Sequence, residues 1–240
     1  MKKFIRNIFH KLGFHIERLK NGEKDFDRSL GGDEDKDIQI LLRNINKPVI
    51  FDIGANTGQS ITRFKSLFLD PVIYSFEPDK VALQGLRRNH PDNVMNSYEL
   101  ALGDNPGKSL LYLNTSKDMN SLLKSNNPRW GENDGESEIT VTTVDKFCEE
   151  YKIDQIDLLK TDTQGFELQV LKGSSRMMAE KRIKLVAMEV IFSDMYEDIA
   201  PFDEVYRFML ENGFRLVSFY KFHFYEQLAD WSDALFLRVD

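Results

Sequence analysis

The sequence predicts an α/β fold built around a mostly parallel sheet. Three short apolar segments, "KPVIFDIG", "PVIYSFEP" and "NVMNSYELALGD", have the composition of strands. The segments between them predict helices, because "TGQSITRFKSLFL" has apolar residues at helical spacing and Asp79 is a candidate N-cap for "DKVALQGLRRN". Strands that alternate with helices through short connections are typical of one parallel sheet.

The second half of the chain continues this alternation less regularly. "KSLLYLNT" predicts an added strand, residues 116–138 predict a polar loop, and "ITVTTVDKFCEEY" changes from strand to helix. "IDQIDLLKTDTQG" and "IKLVAMEVIF" predict buried strands, and "FELQVLKGSSRMM" and "PFDEVYRFMLENG" predict helices. We expect "FRLVSFYKF" and "DALFLRVD" to pair antiparallel at the edge of the sheet.

Composition excludes several classes of protein. The chain has 240 residues, of which 41% are hydrophobic and 30% charged, as in an ordinary globular domain. Its net charge of −7 disfavours nonspecific binding of nucleic acid. A single cysteine, Cys148, excludes an intrachain disulfide and a cysteine-rich metal site, which suits a reducing cytoplasm. Since no apolar run approaches about 20 residues, we expect no membrane span.

Residues 1–44 are predicted to form an extension of a main domain that covers residues 45–240. The first 20 residues are basic, and their apolar side chains fall on one face of a helix: Phe4, Ile5, Ile8, Phe9 and Leu12. This helix either packs on the domain and covers its active site, or lies on an anionic membrane surface. Residues 21–37 predict a polar linker or loose cap. The expected location is the cytoplasm, at the inner face of the membrane under the second alternative.

The turn after the first predicted strand carries an acid and two glycines. A dinucleotide-binding loop has the pattern G-x-G-x-x-G and directs backbone N–H groups at pyrophosphate, whereas residues 54–58 have G-A-N-T-G. Asp52 ends the strand, and two unit charges about 4 Å apart interact by roughly 4 kcal/mol at an effective dielectric constant near 20. An acid here therefore favours S-adenosylmethionine, which carries two cationic groups and no phosphate, over NAD. The glycines let the backbone approach the ligand.

The second predicted strand also ends in an acid, Glu77. An acid about 20 residues after the glycine turn can accept hydrogen bonds from both ribose hydroxyls of a nucleoside cofactor. Both NAD-binding and S-adenosylmethionine-binding folds share this feature. The alternative is that Asp52 and Glu77 only cap the helices that follow them.

Several motifs together resemble the FkbM family of methyltransferases. The likeness runs from about Val49 to Leu237 through "VIFDIGANTGQS", "SFEPD", "ALGD", "VTTVD" and "IDLLKTDTQGFELQVLKG". It implies a class I methyltransferase fold, with a seven-stranded, mostly parallel sheet and an antiparallel last strand, and the use of S-adenosylmethionine. By this resemblance the cofactor-binding residues are Asp52, Gly54, Ala55, Asn56, Gly58, Glu77, Pro78, Ala101, Leu102, Gly103, Ser121 and Asp162.

Candidate catalytic residues follow the later strands. Asp162 and Glu189 stand at or near strand ends, where the ligands of parallel sheets bind. Asp162 is the candidate base for the proton of an alcohol, and Glu189 either serves the acceptor as well or is a buried acid paired with a neighbouring cation. His223 lies in an aromatic segment that could cover the acceptor, or simply pack across an antiparallel pair. Many relatives carry a glutamate in place of Gln164, so a charged role is absent there. Two acids alone leave binding of Mg²⁺ open.

The expected function is methylation of a hydroxyl group on a sugar, glycolipid or natural product, in line with the family resemblance. The sequence leaves two alternatives: N- or C-methylation of a small molecule, and a non-catalytic cofactor-binding partner in a cell-envelope assembly. A nicotinamide-dependent oxidoreductase is the weakest alternative, because of Asp52 and the missing glycine. We expect no nucleic-acid partner, and the sequence does not indicate an oligomeric state.

Overall fold

The protein is described by a computed structural model that covers residues 30–126 and 128–239. The predicted amphipathic segment over residues 1–20 lies outside the described residues. Ten strands follow one another in the described chain: β1 (Val49–Ile53), β2 (Val72–Phe76), β3 (Ser97–Tyr98), β4 (Ala101–Leu102), β5 (Gly107–Asn114), β6 (Asn133–Thr142), β7 (Ile156–Thr161), β8 (Ile183–Ile191), β9 (Phe214–Tyr225) and β10 (Leu228–Arg238). The helices are α1 (Glu34–Leu42), α2 (Gln59–Leu67), α3 (Lys80–Asn89), α4 (Val144–Tyr151), α5 (Glu167–Lys172), α6 (Ser175–Ala179) and α7 (Phe202–Glu211).

Seven strands form the main sheet in the order β3-β2-β1-β7-β8-β10-β9. Strands β3, β2, β1, β7 and β8 run parallel, and β10 runs antiparallel to both of its neighbours. The predicted α/β fold with an antiparallel last strand is therefore confirmed. The last strand lies inside the sheet, between β8 and β9, and β9 forms the edge.

Helices cover both faces of the main sheet. Ile50 and Phe51 are consecutive residues of β1, so their side chains point to opposite faces. Ile50 packs with residues of α1, α2 and α3, whereas Phe51 packs with residues of α4 to α7. Phe147 of α4 meets Phe76 of β2 edge-to-face, with ring centroids 4.7 Å apart. The result is a three-layer domain with an apolar core on each side of the sheet.

Two regions differ from the sequence prediction. The segment predicted as a third strand divides into β3, which pairs with β2, and β4, which belongs to a separate three-stranded sheet in the order β4-β6-β5. Residues 116–138, predicted as a loop, contain two short 3₁₀ turns and the first part of β6. That part of β6 is exposed, so it lacks the apolar alternation by which a half-buried strand is recognised.

Helix α1 lies within the predicted extension. Asp33 caps its first turn by accepting a hydrogen bond from the backbone N–H of Lys36 at 3.2 Å. Ile38 and Leu42 of this helix are fully buried in the core. The chain is thus already helical from Glu34, inside the stretch that was predicted to be loose. In the described residues no helix is long and apolar enough to cross a membrane.

Candidate active site

A cavity of about 650 Å³ opens at the carboxyl ends of the parallel strands, a size that suits a cofactor or a small ligand. Most of the predicted site residues line it: Gly54, Ala55, Asn56, Glu77, Pro78, Ala101, Leu102, Asp162, Glu189 and His223. Four predicted cofactor-binding residues lie outside its wall: Asp52, Gly58, Gly103 and Ser121. The wall also includes residues that the sequence did not suggest, among them Lys160, Asp233 and Trp231.

The glycine turn after β1 uses its backbone N–H groups within the protein. The N–H groups of Gly54 and Ala55 both donate to the carbonyl oxygen of Phe76 at 3.0 Å, and that of Asn56 donates to Oε2 of Glu77 at 2.8 Å. These N–H groups are therefore already engaged by acceptors of the protein, whereas in a pyrophosphate-binding loop they are directed at the ligand. The turn fits a cofactor without phosphate, as the sequence predicted.

Gly54 serves a close approach between two turns of the protein. Its φ is +77°, and a Cβ atom added there would lie 1.9 Å from the carbonyl oxygen of Asp162. Gly58, with φ +95°, would place a Cβ atom 2.5 Å from His90. Both glycines thus make room for protein atoms, whereas the sequence predicted that they make room for the ligand.

Glu77 stands on the cavity wall at the end of β2. Its Oε2 accepts from Asn56 and its Oε1 accepts from the N–H of Asp79, each at 2.8 Å. Burial raises the pKa of Glu77 to about 7, although these two hydrogen bonds lower it. Because a carboxylate oxygen has two lone pairs, Glu77 can still accept hydrogen bonds from ribose hydroxyls.

The surroundings of Asp52 differ from those that the sequence predicted. Asp52 is fully buried, and its Oδ1 lies 3.2 Å from Nζ of Lys160 on the neighbouring strand β7. The same Nζ lies 3.5 Å from Oδ2 of Asp162 and donates to the carbonyl oxygen of Gly54 at 3.3 Å. Burial alone would lower the pKa of Lys160, but the charges of Asp52 and Asp162 raise it above its usual value. The cation that Asp52 attracts is therefore the protein's own.

Several acids come together on the wall of the cavity. Glu189 of β8 pairs in register with Asp233 of β10, and both line the cavity with Asp162. Burial raises the pKa of Glu189, and the charges of Asp162, Glu167 and Asp233 raise it further. Burial and the charge of Asp162 also raise the pKa of Asp233. The carboxyl groups of Glu189 and Asp233 therefore keep their protons to higher pH than exposed carboxyl groups do.

The binding of Mg²⁺, which the sequence left open, is not supported. Nε2 of Gln164 lies between the two acids, at 2.9 Å from Oδ1 of Asp162 and 3.1 Å from Oε2 of Glu189. Within residues 30–126 and 128–239, no group of three or more His, Cys, Asp or Glu is arranged to hold a metal ion. The amide thus occupies the place between the carboxylates that was considered for the metal.

The outer wall of the cavity is aromatic and comes from the hairpin of β9 and β10. His223 stacks on Trp231, with ring centroids 3.4 Å apart and an interplanar angle of 11°. Arg129 lies over the ring of Tyr225 and donates to both carboxylate oxygens of Asp230 at 3.1 Å. His223 and Trp231 are register partners of the antiparallel strands β9 and β10, so their stacking is the packing that the sequence offered as an alternative, and both residues line the cavity.

The polar segment near Ser121 closes the other side of the cavity. The hydroxyl of Ser121 donates to the carbonyl oxygen of Gln164 at 2.7 Å, so it is engaged within the protein. Asn120, its neighbour, lines the cavity and donates through Nδ2 to Oδ2 of Asp79 at 3.1 Å.

Lys160 and Asp233 are the main residues that the sequence reasoning missed. A signal for Lys160 was present, since it is a lone cation in the otherwise buried strand "IDLLKT", as Asp52 is a lone acid in "VIFDI". Two such residues predict an ion pair if their strands are neighbours, but the pairing of β1 with β7 could not be read from the sequence. Nothing in the local sequence of Asp233 indicates its contact with Glu189.

A family model and a relative of known function both match this chain, and both are methyltransferases. The model of the FkbM methyltransferase domain matches residues 52–216. The 2-O-methyltransferase NoeI of Sinorhizobium fredii (strain NBRC 101917 / NGR234) is 27% identical over 166 residues, which cover 64% of this chain and 68% of that protein.

Solved structures match at much lower identity. Magnesium protoporphyrin IX methyltransferase (ChlM) from Synechocystis PCC 6803, with bound S-adenosylmethionine, is 10% identical over 99% of this chain and 97% of that chain, with a TM-score of 0.47. Fibrillarin from Aeropyrum pernix is 11% identical over 80% and 66% of the two chains, with a TM-score of 0.44. The fold assignment rests on the order and directions of the strands, and the family assignment on the match over residues 52–216. The chain belongs to the FkbM family of S-adenosylmethionine-dependent methyltransferases.

Proposed function

We propose that this protein transfers the methyl group of S-adenosylmethionine to a hydroxyl group of a sugar or glycoconjugate. The observation that carries the proposal is the meeting of Asp162, Glu189 and Asp233 on the wall of the cavity that also contains the Gly54–Asn56 turn and Glu77. We call the part near that turn and Glu77 the cofactor end, and the part near the three acids the acceptor end.

An alcohol acceptor needs a group that accepts its proton, and a carboxylate of this cavity can do so. When bound, the cofactor supplies a methyl group bonded to a positively charged sulfur. An aligned acceptor oxygen can attack the carbon of that methyl group. Holding the acceptor oxygen in line can supply roughly 7–11 kcal/mol of the barrier reduction. The oxygen must also lose its proton, and a positioned carboxylate typically contributes about 10²–10⁴-fold to such a step. Asp162 is the candidate base, because its side chain lines the cavity and is 43% exposed.

Two observations support a sugar as the acceptor. The stacked pair of His223 and Trp231 lines the cavity and presents an aromatic face, which suits the apolar face of a sugar ring. The relative NoeI is named as a 2-O-methyltransferase, which places its reaction at an oxygen atom. N- or C-methylation and binding without catalysis are the alternatives that the experiment must separate.

The test is transfer of a labelled methyl group from S-adenosylmethionine to a panel of neutral sugars and glycolipids, with the product linkage assigned by NMR. We expect an O-methyl product with at least one sugar. Asp162→Asn should lower kcat/KM by about 10²–10⁴-fold and change the Kd of the cofactor by less than about tenfold, because only the proton acceptor is lost. Asp154→Asn, at a 98% exposed position before the other end of β7, is the matched control and should keep full activity.

Other outcomes would contradict the proposal. An N-methyl or C-methyl product would assign a different acceptor class. Cofactor binding without transfer to any acceptor would favour a non-catalytic module. Full activity in Asp162→Asn would exclude this residue as the base.

A further inference from the structure

This inference rests on the proposed function and concerns Gln164, which lies between the acids of the acceptor end. Gln164 is 9% exposed and has a φ of +55°, an uncommon value for a residue with a side chain. Its two amide hydrogens serve two different carboxylates, since Nε2 donates to Asp162 at 2.9 Å and to Glu189 at 3.1 Å. One neutral group thus joins acids from two strands that are 27 residues apart in the chain.

The orientation of this amide follows from its partners. The hydroxyl of Tyr196 donates to Oε1 of Gln164 at 2.9 Å. If the amide were turned over, its oxygen would face the two carboxylates, and acceptors would oppose acceptors. The backbone is held as well, because the hydroxyl of Ser121 donates to the carbonyl oxygen of Gln164. Gln164 is therefore fixed at both its side chain and its main chain.

We infer that Gln164 is a positioning residue that holds the Asp162 and Glu189 carboxylates together at the acceptor end, ready to receive the proton of the acceptor. Two like charges at close range repel each other, and N–H donors between them favour the charged form of each. A carboxylate must be charged to accept a proton, so these donors keep the acids competent as a base. The residue acts through Asp162 and Glu189 and needs no contact with the acceptor.

The charges around Glu189 show why a neutral donor matters there. The charged groups with the largest effect on this carboxylate are mostly acids: Asp162, Glu167 and Asp233 raise its pKa, and Lys160 lowers it. Lys160 is already shared with Asp52. Without the amide of Gln164, Asp162 and Glu189 would lose the donor that they share.

The experiment compares Gln164→Met with the wild type by carbon-13 NMR of the Asp and Glu carboxyl groups, titrated without any acceptor. Methionine keeps the length of the side chain and removes both donors. We expect the apparent pKa of Glu189 to rise by about one unit or more, the effect of losing a hydrogen bond to a charged group. Gln164→Glu should raise the pKa of Glu189 further, because it adds another acid beside it.

Two more variants allow the inference to be tested if Gln164→Met folds poorly. Tyr196→Phe leaves the amide in place but removes the hydroxyl that orients it, and it should shift the titration in the same direction by a smaller amount. Gln155→Glu is the matched control, because Gln155 donates to the buried Asp157 at 2.6 Å at the other end of β7. This control should leave the titration of Glu189 unchanged.

Activity gives an independent readout. In Gln164→Met, the acidic limb of the pH profile of kcat/KM should move to higher pH by the same amount as the NMR titration, with an unchanged Kd of the cofactor. Activity lost equally at every pH would overturn the inference, as would carboxyl titrations that overlay those of the wild type. A shifted titration without transfer to any sugar would support the positioning role and would overturn only the proposed acceptor class.

Discussion

The two ends of the cavity are built in different ways. The cofactor end is local and uses the backbone: the N–H of Asn56 donates to Glu77, only 21 residues further along the chain. The acceptor end is assembled from side chains that lie far apart, such as Ser121, Gln164 and Tyr196. Backbone contacts between consecutive strand–turn–helix units depend little on distant packing, whereas the acceptor end exists only when the whole sheet has formed.

Lys160 is the point where the two ends meet. Its ammonium group contacts Gly54 and Asp52 on the side of the cofactor and Asp162 on the side of the acceptor. One cation thus serves both ends, so a change at Lys160 should alter both ends of the site and the stability of the fold.

The largest effect is expected for Lys160→Met, on the free energy of unfolding. The change keeps the length of the side chain but leaves the fully buried Asp52 without its cation. Breaking a buried ion pair by removal of one partner typically costs about 3–5 kcal/mol, and we expect the free energy of unfolding to fall by that amount. The measurement is urea-induced unfolding of the protein without ligands, followed by circular dichroism.

The double variant Asp52→Asn/Lys160→Met is its control, since it removes both charges. It should recover most of the lost stability, because no buried charge is then left unpaired. A single variant within about 1 kcal/mol of the wild type would show that the pair is as weak as a surface ion pair and does not join the two ends.

A smaller effect is expected at Glu167, below the acceptor end. Burial raises the pKa of Glu167 to about 7, although its Oε1 accepts from the N–H and the hydroxyl of Thr163 at 2.7 and 3.0 Å. A pKa raised in the folded state means that the folded protein holds this proton longer than the unfolded chain. The free energy of unfolding should therefore fall as the pH rises from about 4.5 to above 7.

Glu167→Gln should remove about 2–3 kcal/mol of that fall, because the amide oxygen can keep both hydrogen bonds and no longer titrates. The measurement is the unfolding free energy at intervals between pH 5 and 8 in the two proteins. Glu211→Gln, at an exposed position at the end of α7, controls for the loss of one acid. Parallel curves for the wild type and Glu167→Gln would contradict the expectation.

The contrast between the local cofactor end and the long-range acceptor end also explains which features could be predicted from the sequence. The strands β1, β2, β7 and β8 were predicted because their apolar runs end at Gly, Pro or acidic residues. Glu77 and the turn at residues 54–56 were placed on the cavity because strand ends of a parallel sheet meet at one edge. Helix α1 was missed, because its acidic first turn resembles a polar linker in composition.

Pairing across the sheet was the part that could not be predicted. Asp52 and Lys160 are register partners on β1 and β7, and Glu189 and Asp233 are partners on β8 and β10. Such partners are fixed by the tertiary order of the strands, which one sequence does not contain. From the sequence, Asp52 was therefore expected to face a cationic ligand, whereas in the fold its partner is Lys160.

The smallest effect is expected at the rim of the cofactor end, at Asn120. Its Nδ2 donates to Asp79, the N-cap of α3, and its Oδ1 accepts from the N–H of Asn114 at 2.8 Å. Asn120→Ala removes this bridge between the cavity wall and α3, and loss of about 1 kcal/mol should raise the Kd of S-adenosylmethionine by about threefold to tenfold. Calorimetric titration measures this change, with the faster dissociation rate checked by stopped-flow fluorescence.

Asn126→Ala is the matched control for this last prediction, because Asn126 donates to the carbonyl oxygen of Asp194 at 3.2 Å and lies outside the cavity wall. It should leave the Kd of the cofactor unchanged. If Asn120→Ala instead changes KM for the acceptor and not the Kd of the cofactor, the bridge belongs to the acceptor end, and the division of the cavity into a local end and a long-range end would have to be redrawn at Asp79.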